Sequence, residues 1–509
     1  MRRTNRVLLA SWVVGAMLAA NAPARASGLV TFYVDPDFAG SVKNGSAANP
    51  WTHLDSSPTE STWAAINIAL ATDDVVVLFS ARNAVRDANQ VSPFGVNLAR
   101  TDTSNHRLTL DGMSQYNADD GRPSWSRYEG SSKLEIQSGY PLSAYLPGTN
   151  QDRVTIRGFK AIGGFGGRGG QAFVYWGGSH VLIENCEFMH DPGAKHGACV
   201  QFNYAWSEHG ERQNGGCTDI TIRNNVIHDT FGEGLYIGGS GNTRDPSTGK
   251  VRPAHSHLVI EGNHIYNTGI RGGEGDCIDL KDGLSDVTIR NNICHHTQGG
   301  NATGISSHSP FTAEGNVIYS ARGHGLAFGT YWGSGFNGVV IRRNLIYNND
   351  KSGIYVSSDA GKPVTLTRIE NNTIHGNRGA GLAVGVNPDG SITGLQVRNN
   401  IFTRNAPGIG GYGRASYVIT GNDLHANQPD YGWPFRATDN PALAKQNLAF
   451  DPLFADPDDP AGLDGKFFTA DDGFVPKAVA GVPTSADGEP RIGCLPADSK
   501  TRRRSNGVP

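Results

Sequence analysis

Apolar and polar residues alternate along most of the chain in short runs, and the runs repeat. ITIRNNVI (220–227), LVIEGNHI (258–265), VTIRNNIC (287–294), FTAEGNVI (311–318), VVIRRNLI (339–346), TRIENNTI (367–374), LQVRNNIF (395–402) and YVITGNDL (417–424) share one plan. An alternating stretch leads into a polar turn that ends in Asn, and a second apolar stretch follows. Alternation with period two predicts half-buried strands. The turn Asn stands at 225, 263, 292, 316, 344, 372, 400 and 422, in steps of 38, 29, 24, 28, 28, 28 and 22. IENCEF (183–188) is an earlier member with Cys186 in the Asn place. About ten residues after the Asn comes another short alternating run, as in GLYIG (234–238), GLAFG (325–329), GIYVS (353–357) and GLAVG (381–385).

A period in the twenties is the mark of a solenoid. Coils of two or three short strands without a helical period stack so that each coil adds one rung to every parallel sheet, and Asn at equivalent turns can bond along the stack. The expected fold class is all-β: a single right-handed parallel β-helix over 75–430, the hand following from the rule for parallel connections. Its open ends need caps. Residues 27–74 are expected to form an N-terminal cap with a short amphipathic helix at Ser61–Leu70. Residues 431–509 lose the repeat and are expected to form an irregular C-terminal cap and polar tail.

Length alone, 509 residues, would suggest about three domains; the repeat replaces them with one long body. Charged residues make up 18% and the formal net charge is −3, so no basic field exists to hold nucleic acid. Six Cys are too few for a disulfide scaffold; Cys199 with Cys277 and Cys186 with Cys217 are conceivable pairs that the sequence leaves open. Arg2, Arg3 and Arg6 precede an apolar run at 7–20 and the small-residue site Ala24-Arg25-Ala26. This pattern predicts a signal peptide (1–26) cleaved after Ala26, a secreted or periplasmic monomer, and no membrane span afterwards.

The repeat also turns into columns. The second strands align on Ala198, Leu235, Ile278, Ile305, Leu326, Ile354 and Leu382. Two residues earlier the column reads His196, Glu233, Asp276, Thr303, His324, Ser352, Ala380. The first outward column reads Cys199, Tyr236, Asp279, Ser306, Ala327, Tyr355, Ala383, and the next reads Gln201, Gly238, Lys281, His308, Gly329, Ser357, Gly385. Charge gathers in the middle coils, which a solenoid does not need on an exposed sheet. Rungs lie about 4.8 Å apart, so carboxylates on adjacent rungs can share one Ca²⁺, which takes oxygen ligands at about 2.4 Å. Glu233, Glu274 and Asp276 are the expected metal ligands.

The Asn-ladder pattern resembles the pectate-lyase superfamily of right-handed β-helices. Within it, Glu274-Gly275-Asp276-Cys277-Ile278-Asp279-Leu280-Lys281 resembles the acid-x-acid-(four residues)-Lys string of polysaccharide lyase family 6, the chondroitinase-B and alginate-lyase group. That resemblance implies Ca²⁺ at Glu274 and Asp276 and a base at Lys281. His308 occupies the next-coil place where the family has Arg. The implied reaction is β-elimination on a uronic-acid-containing polysaccharide: a base removes the C5 proton, and a cation neutralises the neighbouring carboxylate as a Lewis acid. Catalytic roles are expected for Lys281, His308 and Glu233. Substrate contacts are expected from His324, Arg271, Asp279, Trp206 and Trp332, since aromatic faces stack on sugar rings and Arg binds carboxylates. Asp279, beside Lys281, opposes the low pKa that a base needs.

Three other readings fit the same columns, one of them an alginate-type epimerase, which shares the proton abstraction. Asp276-Cys277-Ile278 and Gly323-His324-Gly325 are similar to polygalacturonase strings, which implies an inverting hydrolase with Glu233 and Asp276 as its carboxylate pair. A non-catalytic glycan-binding β-helix is the third. The extra residues of the two long coils, around 202–219 and 239–256, are expected to wall a cleft.

Overall fold

Each coil is built from three strands, and the turn between the first two explains the repeated dipeptide. In the coil entered at Asn225 these strands are Thr218–Arg223, Val226–His228 and Leu235–Ile237. The residue before the ladder Asn has a left-handed backbone: Asn224 at φ 54°, Gly262 at 64°, Asn291 at 55° and Gly315 at 64°. Gly and Asn tolerate that conformation best, so the sequence reads Asn-Asn or Gly-Asn at each ladder Asn except Asn344, where Arg343 takes the place at φ 55°.

The computed structural model describes residues 28–36, 38–55, 60–80, 96–116, 123–127, 134–137, 140–144, 152–167, 169–176, 178–203, 217–238, 255–271, 274–330, 335–413, 415–436, 438, 440–469, 471–476 and 493–494. The expected signal peptide, Trp206, Trp332 and most of the two long-coil insertions lie outside them.

Strands of successive coils pair in parallel into three sheets. Among the described residues, the first sheet has 16 strands and the second and third have 11 each. One strand breaks the parallel rule: Pro123–Arg127 pairs antiparallel with Leu108–Tyr116. The inward residues of the third sheet, Leu235, Ile278, Ile305, Leu326, Ile354, Leu382 and Ile409, are all fully buried. They belong to one continuous core that runs from Val34 to Leu443. No coil could bury such a face alone; stability comes from stacking.

Asn225, Asn263, Asn292, Asn316, Asn344, Asn372, Asn400 and Asn422 form the expected ladder. Each Oδ1 accepts the backbone N–H and the Nδ2 of the preceding member, as at Asn316→Asn344 (both 2.9 Å). Cys186 donates its N–H to Asn225 at 2.9 Å, so it does occupy the first place. The ladder extends one rung further, to Asn447. A second ladder, Asn349–Asn377–Asn405–Asn427, lines the turn between the second and third sheets. It follows the same steps of 28, 28 and 22 residues, so the spacing that revealed the first ladder was present for this one too.

At the amino end, Leu29–Val34 pairs with Asp74–Ser80, and helix α1 (Ser61–Leu70) buries Trp63, Ile66 and Leu70 over the mouth of the core. At the other end, the segment around Phe454 and Phe474 packs on the outer face of the second sheet, where the Phe474 ring meets Tyr347 and His375. All six cysteines are buried, and none is joined in a disulfide. Among the described residues, no helix is long and apolar enough to cross a membrane.

Candidate active site on the third sheet

Backbone register places the charged columns. Tyr236 pairs with Asp279, Asp279 with Ser306, Ser306 with Ala327, and Ala327 with Tyr355, as expected. The coil before them is shifted by two: Val200, not Ala198, pairs with Leu235, and Gln201, not Cys199, pairs with Tyr236. The long insertion after that coil left no fixed spacing from which to count. Gln201 therefore belongs to the first outward column, where its Oε1 accepts from Gln171 Nε2 at 2.6 Å.

The acids converge, with one exchange of partner. Ligand oxygens of Glu233, Glu274 and Asp279 all lie within 4.8 Å of one another. Asp276 is turned away: its Oδ1 accepts the backbone N–H of Thr303, on the next rung, at 2.5 Å. Thus the third acid of the cluster is Asp279 rather than Asp276. Asp279 is 1% exposed, and its Oδ1 has no hydrogen-bond partner among the described residues. Burial raises its pKa even though Lys281 pulls the other way. Burial likewise raises Glu233, with Asp279 adding to the effect, and lifts Asp276 well above the ordinary carboxylate range.

Lys281 sits in this cluster and is not the open surface lysine that an outward position suggests. Its side chain is 17% exposed, and Nζ lies 2.5 Å from Asp279 Oδ2. Nζ is also 5.1 Å from the centre of the Tyr236 ring, a cation–π contact. Gly238 makes this possible: it occupies Lys281's column on the preceding rung at φ +97°, and a Cβ there would press on Lys281 Cβ at 3.3 Å. Burial works against the ammonium, but the charge and hydrogen bond of Asp279 outweigh it and raise the Lys281 pKa. Burial pushes the Tyr236 hydroxyl up to about 12. Tyr236 stood in the outward column without a role; its place beneath Lys281 became legible only once Lys281 was seen to bend back over it.

His308 is half-buried on the next rung. Its Nδ1 lies 3.2 Å from the Gly329 carbonyl, which only a protonated Nδ1 can satisfy, so Nε2 keeps its lone pair. Burial lowers its pKa despite the nearby Asp279. His324 accepts the Ser352 N–H through Nδ1 at 3.2 Å and stacks on Tyr355 at 4.6 Å and 13°. Arg271 is exposed on the turn three residues before Glu274.

A family model described as "Right handed beta helix region" matches residues 148–335 and 332–424. No curated protein matches the chain in sequence. Among solved structures, the chain is similar to the A-module of mannuronan C-5 epimerase AlgE4 from Azotobacter vinelandii (13% identity over 74% of this chain and 91% of that one, TM-score 0.40). It is also similar to pectate lyase Pel9A (11% identity, 93% and 97% covered, TM-score 0.40) and to XylC in complex with xylose (13% identity, 84% and 87% covered, TM-score 0.43). These likenesses concern the fold.

Proposed function

The chain belongs to the right-handed β-helix family, and from the chemistry of its third sheet we propose that it is a polysaccharide lyase cutting a uronic-acid-containing polymer by β-elimination. The observation that carries this reading is the convergence of Glu233, Glu274 and Asp279 with Lys281 and His308 on adjacent rungs of one sheet face. In the reaction, the C5–H electron pair becomes the C4=C5 double bond as the C4–O bond breaks, and the departing oxygen takes up a proton. Two proton-transfer groups and a counter-charge for the uronate carboxylate are required.

Glu233, Glu274 and Asp279 suit Ca²⁺: all their donors are hard oxygens, and the buried Asp279 Oδ1 lacks a hydrogen-bond partner among the described residues. When bound, such an ion supplies the positive charge that neutralises the uronate carboxylate and acidifies C5. The family resemblance gives the base to Lys281. Hydrogen bonding favours the reverse: His308 offers an unprotonated Nε2 for the C5 proton, while Lys281, held as an ammonium by Asp279, donates to the departing oxygen. Tyr236 holds Lys281 from below.

Incubation with a panel of uronic-acid polymers, followed by ultraviolet absorbance of the C4=C5 double bond, tests the proposal. Unsaturated products are expected from at least one polymer. The raised pKa of Glu233 favours, as a second reading, a hydrolase with Glu233 as its general acid, since a general acid must stay protonated. Saturated products with new reducing ends would select it and remove the lyase.

A further inference from the structure

We propose that the polymer held at the acidic cluster continues along the third sheet toward the carboxyl-terminal coils, where Tyr355, Tyr412 and Trp433, with His324 stacked beneath, form a sugar-stacking platform. The proposal rests on the polysaccharide reading above and extends it to where the rest of the chain lies.

Register carries the argument first. Tyr355 stands in the same outward column as Tyr236 and Asp279. Tyr412 stands in the column of Lys281 and His308, through Gly329↔Ser357, Ser357↔Gly385 and Gly385↔Tyr412. From Asp279 to Tyr412 the path crosses five rung steps, about 24 Å at the usual strand spacing. That length suits an oligosaccharide, not a single sugar. Ala327 and Gly329 present no bulk between the cluster and the aromatic rings, so the track is continuous with the site.

The aromatic groups are arranged for faces, not for filling a core. Tyr412, on the last strand of the sheet, is 42% exposed, and Trp433, just beyond it, is 49% exposed and accepts the Gly411 N–H through its backbone carbonyl at 2.8 Å. Tyr355 and Tyr412 join through their hydroxyls at 3.0 Å. They meet above Gly385, where a Cβ would lie 2.7 Å from the Tyr412 hydroxyl oxygen and 2.9 Å from that of Tyr355. Glycine there lets the two phenols close into one sheet-hugging surface. Pyranose rings present flat C–H faces to such rings, and tyrosine hydroxyls bond sugar hydroxyls at the edge.

Calorimetry with size-graded uronate oligosaccharides, and with a graded neutral xylo-oligosaccharide series, tests this on the full chain. For the parent protein, affinity should rise with oligosaccharide length. In Tyr412→Ala/Trp433→Ala and in Tyr355→Ala, the ratio of long-chain to short-chain affinity should fall about tenfold, a stacking contribution near 1.4 kcal/mol. Tyr355→Phe keeps the ring and should keep most of the ratio, which separates stacking from misfolding. A length dependence that survives in the folded double variant, or no length dependence in the parent with either series, overturns the platform. The same loss seen with neutral oligosaccharides alone would uphold the platform and sink the uronate reading.

Discussion

Lys281 and Asp279 lie two residues apart and depend on each other. Lys281→Ala leaves a buried carboxylate without its counter-charge, so it should lower unfolding stability by about 1–3 kcal/mol. Asp279→Asn in the same chain should recover much of that loss, because it removes the orphaned charge. Urea unfolding of the single and double variants measures both effects; equal stability of Lys281→Ala and the parent would mean the pair is not formed. The roles of the two proton carriers separate by pH. With His308 as base, burial having lowered its pKa, kcat/KM should lose its acid limb below the free-histidine value of about 6.5. With Lys281 as base, the limb moves into the alkaline range, since Asp279 raises the lysine. A kcat/KM profile on any cleaved polymer decides between them.

At the scale of the element, the ladder turn is the unit of stability. Asn344 accepts from Asn316 through Oδ1 and donates through Nδ2 to Ala313, Arg342 and Asn372. Asn344→Ala strands the buried Asn316 donors and the backbone carbonyls together, and should lower the unfolding free energy by about 2–3 kcal/mol. Asn447, at the ladder's partly exposed end, should tolerate alanine with a smaller loss; a thermal-melt series along the ladder reads the gradient. These turns were legible in the sequence because each demands its own residue type: a left-handed place for Gly or Asn, then Asn. Column identity was legible where the alternating strand is plain in the sequence: Asp279, Lys281 and His308 align through the apolar residues Ile278 and Ile305 although their coils differ in length. It failed at Gln201, beside a long insertion. Side-chain direction was not legible at all. Nothing in Glu-Gly-Asp says that Asp276 turns to the Thr303 N–H while Asp279 enters the cluster.

For the whole molecule, acid is the expected weakness. His190 is 2% exposed and satisfied as a neutral ring: Nε2–H donates to the Gly170 carbonyl and Nδ1 accepts the Phe231 N–H. His255, fully buried, accepts the Cys217 N–H through Nδ1. Burial lowers both from 6.5 to about 4. The unfolded chain therefore binds more protons between those values. The stability these rings contribute is complete above about pH 6.5 and is lost as pH falls toward 4. The slope is at most about 1.4 kcal/mol per pH unit for each ring. Urea midpoints should be flat from pH 7 to 8 and fall from pH 6 to 5; His190→Gln, which cannot be protonated, should flatten part of that fall.

The coils entered at Asn316, Asn344 and Asn372 are each 28 residues long, and the second ladder keeps the same interval from Asn349 to Asn405. A coil of this stretch can therefore be gained or lost whole without disturbing the strand phases of its neighbours. Excising 345–372 joins Asn344 to Thr373 with all three strand phases and both ladders intact, so the shortened chain should still unfold cooperatively, one rung shorter and without Tyr355. Excising 345–371 instead leaves one extra residue in the ladder turn and should cost stability at that turn alone, since the chain already accommodates coil steps of 22, 24, 29 and 38 residues. Reach along a polymer is thus a heritable quantity here, counted in rungs: a coil gained or lost moves the aromatic end relative to the acidic cluster by one strand spacing and leaves the chemistry at the cluster untouched.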